Sequence, residues 1–250
     1  MGWDALAKTT DRTRWFRALM ALAIAGALSC PAVALAKPAP SRKHAAAKSV
    51  HDEQPVTLAA RQMAQWVLAE RDNKDMPFLI VDKPGAKAFA FDASGKLLGS
   101  AWVLVGLAPG DDSAPGIGTM PLSAITPDLR TTPAGRFVAI LGHDLSTQVL
   151  WVDYDDAISL HPVINTEPAE RRLERIVSSK PSEHRISFGC INVPAKFFSG
   201  VVEPAFRGGT GIVYILPDRK PLTQVFPGYY DAAPITGTGG KSAPGTQIAN

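Results

Sequence analysis

The sequence predicts a β-rich α+β domain over residues 77–217, with a few peripheral helices. Three observations carry this. Short runs of β-branched, aromatic and aliphatic residues recur between Gly, Pro, Asp and Ser turns. Helical periodicity is confined to two or three segments. A hydrophobic fraction of 46% with 20% charged residues is that of a chain with a real core.

The elements follow in order. Arg12, Arg14 and Arg17 precede the apolar run Ala18–Leu28, which is short for a bilayer span. Ala34-Leu35-Ala36 then offers a small-x-small cleavage pattern, so residues 1–36 read as a cleaved signal peptide. Cleavage is expected before Lys37, with no stable membrane span afterwards. Residues 37–56, rich in Ala, Pro and Lys, read as a flexible linker. Thr57 is placed to cap a helix within 57–76, with Ala59, Met63, Trp66 and Val67 on one apolar face.

Phe78–Val81 is a short apolar strand. Ala86–Phe91, the turn Asp92-Ala-Ser-Gly95, and Leu97–Val105 form a hairpin. Residues 106–132 read as one long loop, of a length that is usually functional. Arg136–Leu141, Val149–Asp153 and Ala157–Leu160 are further strands, with Trp102 and Trp151 as strand core. A helix is expected over 167–177, with Leu173, Ile176 and Val177 inward, and another from Pro194, with Phe197, Phe198, Val201 and Val202 inward. Gly211–Leu216 closes the domain, and 218–250 reads as a disordered tail.

The formal charge of +3 is uneven. Lys37, Arg42, Lys43 and Lys48 meet no acid over residues 37–48, whereas the remainder from residue 49 carries −3. A mildly acidic domain disfavours nucleic acid as a partner. No cluster of Cys and His has zinc-ligand spacing, and neither a Gly-x-Ser-x-Gly elbow nor a Walker loop is present, so no metal or cofactor is expected. Of the two cysteines, Cys30 departs with the signal, leaving Cys190 alone. A lone cysteine in an exported chain is either a buried small hydrophobe or a reactive thiol, and two surviving thiols would be needed for dithiol redox chemistry.

Its neighbours favour reactivity. In Ser187-Phe188-Gly189-Cys190-Ile191-Asn192, glycine removes bulk beside the sulfur, and the Gly189 and Cys190 N–H groups are candidate oxyanion donors. The string resembles the active-site signature of the L,D-transpeptidase (YkuD) catalytic domain: Ser or Thr, His, Gly-Cys, an apolar residue, then Arg or Asn. Thr132-Pro133-Ala134-Gly135-Arg136-Phe137 is similar to that family's Thr-Pro-x-Gly-x-Phe turn, and Ile80-Val81-Asp82-Lys83 to its opening hairpin. The departure is Phe188, where the signature has histidine.

The resemblance implies an exported, periplasmic cysteine acyltransferase acting on peptidoglycan stem peptides. Cys190 would be the nucleophile, and His161 at a strand end the base, although it lies 29 residues upstream. His184, six residues upstream, is the competing base and a candidate substrate contact; His143 reads as a turn residue. The imidazole's orienting partner is expected to be a carbonyl near Pro162 or Ser187. Arg185 and Arg136 are candidates for gripping a substrate carboxylate, Asn192 for bracing the loop, and Asp111-Asp112 for meeting a substrate ammonium. A hydrolytic carboxypeptidase or amidase on the same fold, and a non-catalytic wall-binding module, are the alternatives.

Overall fold

The computed structural model describes residues 54–144 and 147–232. The expected signal peptide and all of the linker before residue 54 lie outside them. The elements are α1 (Leu58–Glu70), β1 (Phe78–Asp82), β2 (Lys87–Phe91), β3 (Leu97–Trp102), β4 (Val105–Gly106), β5 (Gly135–Asp144), β6 (Thr147–Asp153), β7 (Ile158–Pro162), α2 (Arg172–Arg175), β8 (Arg185–Ser187), β9 (Ile191–Val193), α3 (Ala195–Phe197), α4 (Glu203–Phe206), β10 (Thr210–Leu216) and α5 (Leu222–Val225). Eight strands form one sheet in the order β3-β2-β1-β10-β5-β6-β7-β9, and β4 pairs with β8 in a second, two-stranded sheet. The fold is α+β and mostly sheet.

Every residue of β1 is buried, as is β10 after Thr210, because both faces of the sheet are covered there. Such strands read as continuous apolar runs rather than alternating ones. On one face Phe78, Ile80 and Tyr214 pack with Met63, Trp66 and Val67 of α1. On the other, Leu79, Val81 and Val213 pack with Phe197, Phe198, Val201, Val202 and Phe206. Thr57 caps α1, its Oγ1 accepting the Ala60 N–H at 3.2 Å. The helix stops at Arg71, whose φ of 52° is left-handed, so residues 71–75 are turn rather than helix.

The segment from Pro194 buries its predicted residues, but its helix is interrupted by a π turn over Phe198–Val202. Pro204 explains the interruption: it has no N–H for the carbonyl of Gly200 four residues back, and its ring crowds that carbonyl. The helix expected over 167–177 is absent. A 3-10 turn at Pro168–Glu170 and the single turn of α2 are separated by Arg171 at φ 52°, and Leu173 and Val177 are exposed while Ile176 alone is buried. The long loop holds three 3-10 turns, at Ile117–Thr119, Leu122–Ala124 and Pro127–Leu129.

The tail differs most from expectation. Residues 218–232 carry α5 and return to α1, where Phe226 and Tyr229 are buried against Trp66, whose Nε1 donates to the Gly228 carbonyl at 3.1 Å. The rest of the expected tail lies outside the described residues. Asp218 and Asp111 also join a buried charge cluster. The Lys83 ammonium, with no side-chain exposure, donates to Gly110 O (2.5 Å), Asp111 Oδ1 (3.0 Å) and Thr132 O (2.8 Å), and lies 3.6 Å from Asp218. Asp111 in turn accepts the backbone N–H groups of Asp218, Arg219 and Lys220. It is therefore no receptor for a substrate ammonium.

Burial alone would raise the Asp111 pKa; the three N–H donors and Lys83 outweigh it and bring the value from 3.8 down to about 2. A lowered carboxylate pKa contributes stability above its ordinary value and loses it as pH falls through the folded value. The urea midpoint of the wild type should therefore drop between pH 4 and pH 2, and Asp111→Asn should be weaker at pH 7 and flatter across that window. Phe226→Ala should cost roughly 3–5 kcal/mol in urea unfolding, the range for emptying a buried aromatic site; a disordered segment would show no change.

Candidate active site

Strand register assembles the site. β7 and β9 pair in parallel, with Leu160 opposite Ile191, His161 opposite Asn192 and Pro162 opposite Val193. Side chains alternate along a strand, so Ser159 and His161 share a face with Asn192, and Cys190 enters on that face two residues earlier. The 29 residues between His161 and Cys190 are thus spanned by one crossover between neighbouring strands. All four residues line an open cleft of about 840 Å³, together with Arg130, Trp151, Arg172, Ser187 and Phe188.

The turn carrying the cysteine is held from three sides. Ser187 Oγ donates to the Cys190 carbonyl (2.6 Å) and accepts the Gly189 N–H (3.1 Å). Thr132 Oγ1 donates to the Gly189 carbonyl (2.7 Å) and accepts the Gly106 N–H (2.8 Å). The Asn192 N–H and carbonyl both bond to Leu104. Gly189 has φ +134°, and a Cβ there would meet Ile158 Cδ1 at 2.9 Å and the Thr131 carbonyl at 3.0 Å, so only glycine fits.

His161 Nδ1 lies 2.8 Å from the Pro162 carbonyl, which can only accept, so Nδ1 carries a proton and Nε2 is left for sulfur. Cys190 is partly buried and lines the same cleft as His161. Burial pushes the thiol pKa up, but the bonds from His161 and from the Ser159 N–H and hydroxyl outweigh it, and the net direction is down. Burial likewise opposes protonation of His161, yet the hydrogen bond to Cys190, its charge, and the Pro162 carbonyl carry that pKa up. A low thiol and a high imidazole favour the thiolate–imidazolium pair. Ser159 Oγ lies 3.7 Å from the sulfur, and the Ala157 carbonyl, 3.6 Å away, is an acceptor for the neutral thiol.

Asn192 Nδ2 faces His161 Nε2 at 3.2 Å. Its orientation is set by Arg172, whose Nη1 donates to Asn192 Oδ1 at 2.7 Å. An amide N–H directed at Nε2 opposes protonation of the ring, as the nearby Arg172 charge also does, and the influences of Cys190 and the Pro162 carbonyl outweigh it.

Several expectations are corrected. Gly189 N–H is engaged by Ser187 and is not a free oxyanion donor. Ser187 braces the turn, whereas the carbonyl of Pro162 meets the imidazole. His184 is fully buried, stacked on Trp102 at 5.0 Å, with Nδ1 and Nε2 each 2.9 Å from the carbonyls of Val103 and Ser178; it neither lines the cleft nor contacts the sulfur. Arg136 grips Asp72 through Nε (2.8 and 2.9 Å) beside Tyr214, away from the cleft. Arg185 pairs with Asp218 at 2.5 Å. Both arginines are internal ties rather than substrate contacts. Trp151 stacks on Tyr154 at 4.8 Å and lines the cleft instead of filling core.

Ser159, Arg130 and Arg172 are cleft residues that sequence reasoning passed over. Ser159 had a signal, since it stands two residues before His161 on a predicted strand; the arginines had none.

No family model matches the chain, and no curated protein matches it. Among solved structures, the catalytic domain of the E. faecium L,D-transpeptidase is 15% identical, with 57% of this chain and 98% of that chain covered at a TM-score of 0.35. A longer structure of the Enterococcus faecium enzyme is 16% identical, with 56% of this chain covered and a TM-score of 0.33; the chain spans 50% of its length. A fused Zn-dependent amidase/peptidase/peptidoglycan-binding domain-containing protein from Clostridium acetobutylicum is 14% identical, over 65% of this chain and 64% of that one, at a TM-score of 0.33.

If His161 activates the thiol, Cys190 should react with iodoacetamide well below the ordinary thiol pKa of about 8.5. In His161→Gln the rate profile should move up toward that value, with a loss of about tenfold or more at neutral pH. His184→Gln should lower thermal stability and leave the profile in place; the reverse pattern would make His184 the base.

Proposed function

We propose that the chain is an exported cysteine acyltransferase of the cell envelope that acts on peptidoglycan stem peptides, as L,D-transpeptidases do. The observation that carries this reading is that Cys190 and His161 line one open cleft, with His161 Nδ1 held by the Pro162 carbonyl. A nucleophile, a base and a group orienting the base are the requirement for acyl transfer through a thioester. The order of the three motifs, at 80–83, 132–137 and 187–192, supports the substrate class. Export is proposed from the segment 1–36.

In this mechanism the Cys190 thiolate attacks the amide carbonyl at the L-centre of a stem peptide. This forms a tetrahedral oxyanion. As it collapses, the C–N bond breaks, the imidazolium proton of His161 passes to the departing amine, and the acyl group remains as a thioester. Neutral His161 then takes a proton from an incoming amine, which attacks the thioester carbonyl and releases the thiolate. Water in place of the amine gives hydrolysis on the same residues. No electrons are exchanged with a cofactor at either step.

The test is mass spectrometry of the purified protein incubated with a tetrapeptide stem, or with a carbapenem as acyl-donor mimic. Wild type should gain one acyl group per chain, and Cys190→Ala none. Equal gain in both proteins, or gain in neither, would overturn the reading. A thioester seen only transiently, with free acid accumulating and no cross-linked product when an amine is supplied, would identify a hydrolase.

A further inference from the structure

Two arginines line the cleft, and they are not equivalent. Arg172 is committed: its Nε pairs with Glu170 at 2.5 Å and its Nη1 with Asn192 at 2.7 Å. Arg130 has no ion pair among the described residues. Its Nε donates to the Ile125 carbonyl at 3.2 Å, and its guanidinium carbon sits 3.8 Å above the centre of the Phe188 ring. None of the acids of the same cleft, Asp144, Glu167 and Glu170, forms an ion pair with it.

The position of Arg130 is fixed at both ends. Its carbonyl accepts the Ala108 N–H at 3.0 Å, and two residues further on Thr132 is bonded to the Gly189 carbonyl of the cysteine turn. Its side chain rests on Phe188, which lies two residues before Cys190. A guanidinium has five N–H donors in one plane. With its face on an aromatic ring and Nε occupied, the donors on the two terminal nitrogens remain at the edge. That is an arrangement for a planar anion, and a carboxylate matches it with two parallel bonds.

We propose that Arg130, seated on Phe188, is the carboxylate-binding residue of this cleft, and that it selects acyl donors whose leaving residue ends in a free carboxylate. The proposal rests on the acyl-transfer reading for the identity of the donor. It gives Phe188 a role of its own: where the resembled signature has histidine, this chain has an apolar platform for a cation. Holding the terminal carboxylate also fixes the scissile amide one residue away, so the interaction orients the bond for attack as well as selecting the ligand.

The experiment compares a tetrapeptide stem having a free C-terminal carboxylate with the same peptide as its C-terminal carboxamide. Binding is titrated on the Cys190→Ala protein, where no chemistry intervenes, and acylation of wild-type Cys190 is followed without any acceptor. The acid should bind Cys190→Ala roughly tenfold or more tightly than the amide, the scale of a charge-assisted pair. Adding Arg130→Gln should remove that preference, Arg130→Lys should restore part of it, and Phe188→Leu should reduce it. In the acylation assay the same changes should raise half-saturation and, because orientation is lost as well, lower the maximal rate. Equal binding of acid and amide, or a preference that survives Arg130→Gln, would overturn the proposal. Acid-selective binding that depends on Arg130, with no acylation of wild type by either peptide, would uphold the carboxylate site and sink the acyl-transfer reading instead.

Discussion

The ammonium of Lys83 is the interaction on which the arrangement of the site depends. It has three protons and three oxygen acceptors within 2.5–3.0 Å, drawn from Gly110, Asp111 and Thr132. Sealed from solvent, that charge is tolerable only when all of these segments arrive together. They come from the long loop and from the entry to β5, and Asp111 brings the segment after β10 through its three backbone bonds. Arg185, at the start of β8, closes the set through Asp218. Thr132 carries the constraint onward. Its carbonyl faces Lys83 while its hydroxyl holds Gly189, so the turn presenting Cys190 hangs from a buried charge cluster rather than from the sheet alone. Such clusters contribute little net stability against an apolar alternative, and their effect here is to specify one geometry.

The central architecture was legible because it is made of long, unambiguous runs. β1, β2, β3, β5, β6, β7 and β10 all fall on predicted strands, since four or more consecutive apolar or alternating residues between turn formers have few other solutions. β8 and β9 were not legible. Three residues carry no period, and these strands exist because distant partners, residues 104–107 and β7, offer their hydrogen bonds. The segment 167–177 misled for the opposite reason: its apolar spacing is helical, but Arg171 adopts a left-handed conformation that splits it. In the tail, Gly, Pro and Thr masked the two aromatic residues, Phe226 and Tyr229, that pack it onto Trp66.

At the site, local pattern singled out the thiol and the strand-end histidine, and strand register brings these two together. What local pattern does not encode is which charges neutralise one another. Arg136 and Arg185 look like ligands in sequence and prove to be tied to Asp72 and Asp218. Arg130 is inconspicuous in a loop and is the cleft cation with no acid among the described residues. Pairing of charges is a tertiary property, settled by contacts 33 to 64 positions apart in the chain. The same holds for His184, near Cys190 in sequence yet enclosed by two carbonyls and a tryptophan.

The group that orients the proposed base is a backbone carbonyl, that of Pro162. It has a genetic consequence. A carboxylate in that role can be deleted by one codon change, but every residue that position 162 could encode supplies the same oxygen. Selection on this chain can therefore remove the thiol or the imidazole in a single step and cannot so remove the third component. Loss of orientation would have to come through displacement of the strand itself, and a saturation scan should register it as misfolding and not as a silent, well-folded, inactive protein.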